Sequence, residues 1–171
     1  MASTDPHGVV VYVGTLSKAL APGLRMGFAI APPPLRSALL AVRRQVDRQG
    51  DLGLEHAVAQ LLEDGEVLGH SLRAKRVFHA RRDVLVRLLR THLKQALTFE
   101  VPRGGLALWA RVDDGIDVER WAKASLLGKV RFFTGRQYAP NGRPIPFVRL
   151  GFGHLDEGEL REAVKRMARA L

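Results

Sequence analysis

The sequence predicts an α/β protein in two parts: a sheet-and-helix segment over residues 1–70, then a long helix and a small α/β unit over 71–171. Three observations carry this. The run Gly8-Val9-Val10-Val11-Tyr12-Val13-Gly14 has the composition of a strand buried on both faces, as in a parallel sheet covered by helices. Apolar residues then recur at three- and four-residue spacing from Glu66 to Leu93, a length that suits a helix bridging two parts of a protein. Beyond it, short strand-like and helix-like segments alternate to the end of the chain.

Each element has its own signal. After the first strand, Thr15 to Arg25 is a polar turn containing Pro22 and Gly23, and Met26 to Ala31 is a second apolar strand stopped by Pro32-Pro33-Pro34. Pro34 suits the first turn of the next helix, which runs through Leu35, Leu39, Leu40 and Val42 to about Gln49, with Gly50 as its stop. Asp51 offers an N-cap to a shorter helix with Leu54, Val58, Leu61 and Leu62 on one face, and Gly65 separates it from the long one. The long helix places Val77, Phe78, Val84, Leu85, Leu88 and Leu89 on its apolar stripe.

In the second part, Leu97 to Val101 reads as an edge strand ended by Pro102, and Gly104-Gly105 as a turn into the strand Leu106 to Val112. A short helix follows from Asp117 to about Leu127, with Val118 and Trp121 inward. Val130 to Phe133 and Phe147 to Phe152 are the remaining strands, joined by a loop over residues 135–146. For Trp109, Trp121 and Phe132 core packing is favoured over lining a pocket. The last helix is the best signalled: Asp156 and Glu159 have capping-box spacing, Leu155 precedes them as a staple, and Leu160, Val164, Met167 and Leu171 keep one face apolar.

Composition narrows the function. Apolar residues are 46% and charged residues 26% of 171, so a core is available and wholesale disorder is excluded. No apolar run approaches the roughly 20 residues that span a bilayer. The chain has no Cys, which removes disulfides, thiolate metal sites and Cys nucleophiles together. The amino terminus carries neither a basic n-region nor a long apolar stretch, so a cytoplasmic protein is expected. The net charge of +10 is mostly arginine and is spread along the chain without interleaved aromatics, which favours a basic surface over a nucleic-acid footprint. A strand apolar on both faces needs a neighbour on each edge, and residues 1–70 hold too few elements to supply them, so the expectation is the carboxyl end of something larger.

The chemistry concentrates in Thr15, Ser17, Lys18, Pro22, Gly23 and Arg25. A lysine just beyond the carboxyl end of a sheet strand stands where open α/β sheets bind ligands, and its amine suits Schiff-base formation with a carbonyl. Two hydroxyls before it and a guanidinium seven residues after it are the donor set for a phosphate dianion. On spacing alone, surface cations beside ordinary turn formers remain an open alternative.

The string from Gly14 to Phe28, Gly-Thr-Leu-Ser-Lys-Ala-Leu-Ala-Pro-Gly-Leu-Arg-Met-Gly-Phe, closely resembles the lysine segment of fold-type-I, pyridoxal-phosphate-dependent aminotransferases of class I/II. It is most similar to the subgroup fused to GntR-type winged helices, the MocR/GabR-like regulators. The likeness continues through Pro32-Pro33-Pro34-Leu35, Gly104 to Trp109, Thr134 to Tyr138 and Val148 to Phe152, and so covers essentially the whole chain. It implies the carboxyl-terminal part of that transferase fold: the end of the large-domain mixed sheet in 1–70, then the linking helix and small domain in 71–171.

The resemblance also implies roles. Lys18 forms the Schiff base with pyridoxal 5'-phosphate, Thr15, Ser17 and Arg25 bind the cofactor phosphate, and Arg149 grips the substrate carboxylate. An amino acid or amine is the implied substrate, Lys18 moves the proton after transaldimination, and relatives of this kind are homodimers with shared sites. The family's glycine-rich loop, ring-stacking aromatic, and ring-holding Asn and Asp lie upstream of the lysine, so this chain alone is expected to fold poorly and lack turnover. Contact with DNA is expected only through a winged helix that this chain does not carry. Three readings stay open: part of an aminotransferase, the effector-sensing part of a regulator, and a basic α/β module unrelated to the cofactor.

Overall fold

The computed structural model describes residues 5–171, which divide into two compact units over 5–74 and 75–171. The first unit holds the strands β1 (Tyr12–Thr15) and β2 (Gly27–Ile30), and the helices α1 (Pro33–Val46) and α2 (Leu52–Glu63). The helix α3 (Glu66–His92) starts here and ends in the second unit. No helix among the described residues is long and apolar enough to cross a membrane.

β1 and β2 pair antiparallel as a two-stranded ribbon, in the register Tyr12↔Ile30 to Thr15↔Gly27. This corrects the expectation of a parallel strand buried on both faces. Val9 is 77% and Val13 75% exposed, and the regular strand begins only at Tyr12. The composition reflects a doubly covered strand, whereas among the described residues β1 has one strand partner and leaves Val9 and Val13 exposed. α1 behaves alike: prolines at its start supply the favoured helical φ, yet none of its residues is buried, and Leu39, Leu40, Val42 and Val46 are exposed.

α2 starts where Asp51 accepts a hydrogen bond from the Leu54 N–H at 3.0 Å, and ends at Gly65, whose φ of +75° turns the chain out of the helix. An ion pair between Arg43 and Glu55 links α1 to α2.

The second unit is built around a four-stranded antiparallel sheet in the order β3 (Leu97–Thr98), β4 (Ala107–Val112), β6 (Phe147–Gly151), β5 (Phe133–Thr134). Alternation decides its faces. Leu108, Ala110, Val112, Val148 and Leu150 are buried in one core with Leu85, Leu88 and Leu89 of α3, Trp121 of α4 (Val118–Leu127) and Leu160, Val164 and Met167 of α5 (Glu157–Arg169). Asp117 caps α4, accepting from the Glu119 and Arg120 N–H groups, and Asp156 with Glu159 completes both arms of the capping box on α5.

Three local expectations change. The edge strand over 97–101 is regular only at Leu97–Thr98, the strand over 130–133 is shifted to Phe133–Thr134, and the loop after it opens with a 3-10 turn at Gly135–Tyr138. Pairing explains the shift, because Phe133 and Thr134 are the residues opposite Arg149 and Val148 of β6. Trp121 is in the core as expected and Phe132 packs against it, but Trp109 is 41% exposed on the face away from the core.

Candidate active site

The loop between β1 and β2 carries Ser17, Lys18 and Arg25, and Thr15 closes β1. The ladder runs one step beyond the strands: Thr15 pairs with Gly27, and the Leu16 N–H donates to the Met26 carbonyl at 3.0 Å. Thr15, Ser17 and Arg25 therefore flank the mouth of one loop. Gly27 is required at this mouth, since a Cβ there would lie 2.8 Å from the Gly14 carbonyl oxygen.

Inside the loop the backbone is organised locally. The Ser17 N–H donates to Thr15 Oγ1 at 3.2 Å, and the Leu20 N–H donates to the Leu16 carbonyl at 2.8 Å, closing a turn around Lys18. Leu16 is 4% exposed and anchors the loop through its side chain. After a 3-10 turn at Pro22–Leu24, Arg25 adopts φ 49° and ψ 29°. That left-handed conformation costs a side-chain-bearing residue roughly 1 kcal/mol, and such strain clusters at functional sites.

The donor set suits a phosphate group. Thr15 Oγ1 already accepts a bond, so its proton is free to donate, and the Ser17 hydroxyl and Arg25 guanidinium add further donors. Neither Lys18 nor Arg25 has a carboxylate partner among the described residues. Thr15, Lys18 and Arg25 are exposed and Ser17 is half-buried.

A hollow of about 800 Å³ opens in the first unit, lined by Val13, Phe28, Leu39, Leu54 and Val58 among others, with Arg25 in its wall. Thr15, Ser17 and Lys18 do not line it. The structure thus brings Thr15, Ser17 and Arg25 to one mouth, while Lys18 projects from a loop that a two-stranded ribbon walls on one side only.

Arg149 belongs to the second unit. It is half-buried at the centre of β6, on the sheet face opposite the core, with Trp109 of β4 and Phe133 of β5 as its two cross-strand partners. It has no ion-pair partner among the described residues. Arg149 is thus flanked across the strands by two aromatic residues that are 41% and 37% exposed, and the Arg131 guanidinium lies over the Phe133 ring at 5.6 Å. Sequence reasoning places Trp109 in the core and gives Phe133 no role. The alternation Leu108, Ala110, Val112 against Trp109, Arg111 is the signal for the first; the second needs the register of β5 on β6.

The model of aminotransferase class I and II matches residues 1–167. The chain is 29% identical to the 2-aminoadipate transaminase of Thermus thermophilus over 163 residues, which are 95% of this chain and 41% of that protein. It is 30% identical to the HTH-type transcriptional regulator TauR of Rhodobacter capsulatus over 172 aligned positions, covering 100% of this chain and 35% of the regulator. Among solved structures, the α-aminoadipate aminotransferase LysN of Thermus thermophilus, complexed with N-(5'-phosphopyridoxyl)-L-leucine, superposes with a TM-score of 0.84 at 28% identity, over 99% of this chain and 43% of that one. The chain spans well under half the length of these relatives. A match along nearly its whole length, with the fold to go with it, makes this chain a member of the aminotransferase class I and II family.

Proposed function

We propose that the chain is the lysine-bearing part of a pyridoxal-phosphate-dependent aminotransferase acting on an amino acid or amine. The observation that carries this reading is the hairpin base, where the Thr15–Gly27 pair and the Leu16–Met26 bond bring the backbone of Thr15, Ser17 and Arg25 together at the loop that bears Lys18, with both cations lacking a carboxylate among the described residues. That donor set fits a cofactor that ends in a phosphate dianion and carries an aldehyde.

When bound, pyridoxal phosphate supplies the carbonyl that captures amines and a ring that takes up electrons during proton movement. Thr15, Ser17 and Arg25 hold the phosphate and so orient the ring. With the cofactor bound, Lys18 would hold its aldehyde carbon through Nζ and, as a general acid–base, would carry a proton from the substrate Cα to that carbon. Arg149 grips the substrate carboxylate through two parallel N–H donors. The exposed apolar positions Val13, Ile30, Leu40 and Val46 suit burial against further protein surface, and a homodimer partner is one source of it.

A second reading has its own support, since TauR and the probable rhizopine catabolism regulatory protein MocR of Rhizobium meliloti align over 100% and 99% of the chain. On that reading Lys18 of this chain takes part in sensing an effector, without turnover.

Borohydride reduction in the presence of pyridoxal phosphate, followed by peptide mass mapping, tests the site. The expected result is cofactor mass on the peptide containing Lys18, lost in Lys18→Ala and weakened in Arg25→Ala. Labelling spread evenly over all the lysines would overturn the assignment. Turnover of an amino donor by the protein in its full-length context separates enzyme from sensor.

A further inference from the structure

We propose that the sheet face around Arg149 is a subsite for a carboxylate carried on a flat apolar body, with Trp109 as its specificity-determining residue, which makes aromatic amino acids the substrate class. This rests on the reading of Arg149 as the carboxylate grip and extends it to the rest of the ligand.

Three features converge on one face. Arg149 is half-buried without a carboxylate partner among the described residues, an arrangement that an incoming anion satisfies. Trp109, directly opposite it on β4, is packed by two neighbours: its ring stacks on Phe147 at 5.3 Å and 10°, and Tyr138 meets it edge-on at 5.3 Å and 89°. With one side taken by Phe147 and 41% of the residue still exposed, the indole offers an apolar wall.

The third feature is space. The next pair along β4 and β6 is Ala107 opposite Gly151, two small residues on the face that carries Trp109 and Arg149. A Cβ added at Gly151 would meet nothing nearer than the Leu106 carbonyl oxygen at 4.0 Å. On the other side, the pair Arg111 and Phe147 is bulky. A body attached to a carboxylate at Arg149 therefore has one open direction, over Ala107 and Gly151 and along the indole. A flat ring fills that notch and covers the wall; a methyl or ethyl group leaves both wet.

The test uses the chain without cofactor, so its outcome is independent of Lys18. The probes are 3-phenylpropionate, propionate and 3-phenylpropanamide, titrated while the two indole N–H resonances are followed by NMR. Trp121, buried and bonded to Met167, reports that the fold is intact; Trp109 reports the subsite. The expected result is a shift at Trp109 alone, with 3-phenylpropionate binding about tenfold more tightly than propionate, as stacking on an aromatic wall supplies. The amide, which lacks the charge, loses most of the affinity.

Arg149→Gln should abolish binding of both acids. Gly151→Leu, which fills the notch, should bring the two acids to equal affinity while propionate still binds; Trp109→Leu, which lacks the reporting indole and is titrated by calorimetry instead, should do the same. Equal affinities in the unaltered chain, shifts at Trp121 instead of Trp109, or no binding at all would each overturn the subsite. Cofactor capture on Lys18 would stand or fall separately, by borohydride trapping.

Discussion

Trp121 donates its indole N–H to the carbonyl oxygen of Met167 at 2.9 Å, joining α4 to α5 through the middle of the core. The ring is 2% exposed and rests against Phe132 at 4.9 Å. Trp121→Phe removes both the bond and part of the buried volume, so it should destabilise the second unit by about 2 kcal/mol. Chemical denaturation followed by far-UV circular dichroism measures it, and an unchanged midpoint would contradict the assigned role.

Ser125 presents the opposite case. Its side chain is fully buried and its hydroxyl has no partner among the described residues. Removing an unsatisfied buried hydroxyl relieves a desolvation penalty of about 1 kcal/mol or more. Ser125→Ala should therefore raise the midpoint of the same transition; a fall would mean that the hydroxyl is satisfied in solution.

Asp156 accepts from the Glu159 N–H at 2.8 Å while the Asp156 N–H donates to Glu159 Oε2 at 2.8 Å. Asp156→Ala should cost about 1 kcal/mol and Asp156→Asn much less, because asparagine caps nearly as well. Amide exchange in the first turn of α5 should speed up in the alanine variant and stay slow in the asparagine one.

Arg25 separates backbone comfort from ligand capture. Its φ of 49° suits glycine better than any residue with a Cβ, so Arg25→Gly should relax the loop. The same change removes the guanidinium, and cofactor trapping on Lys18 should fall at least as far as in Arg25→Ala. Recovery of trapping in Arg25→Lys to only a fraction of the original would fit a planar fork against phosphate. Gly27→Ala should also lower trapping, by forcing apart the backbone at the loop mouth.

Glu162 lies on the solvent side of α5, where a hydrogen bond from Arg166 at 2.7 Å and the charge of that guanidinium hold its carboxyl below the ordinary glutamate range. The sign follows from the direction: a folded-state value below the unfolded one makes the pair favour the fold above the unfolded value, and that contribution is lost as pH falls through the lowered one. Carboxyl NMR of Glu162 should move up in Arg166→Ala. No shift would mean that the pair is not formed in solution.

The second unit is legible in the sequence because its signals are local. Asp156 and Glu159 announce α5, Asp117 announces α4, and the alternation from Leu106 to Val112 marks a strand with one wet face. The first unit is legible only in its elements. Val9 to Val13 has the composition of a strand enclosed on both sides, and composition records the surroundings for which a strand is suited, not those within the described chain. At the site, Thr15, Ser17, Lys18 and Arg25 stand out by family likeness, while the partnership of Arg149 with Trp109 and Phe133 is a matter of strand register, which no spacing within one strand contains.

The β1–β2 ribbon has consequences for handling the protein. With two strands in this sheet among the described residues, each keeps an outer edge of amides and carbonyls unpaired there, beside exposed Val13 and Ile30. Such edges zip onto one another between molecules, so concentrated stocks should cloud with time at a rate that climbs steeply with protein concentration. Val13→Lys should slow that clouding while leaving the melting of the second unit where it was.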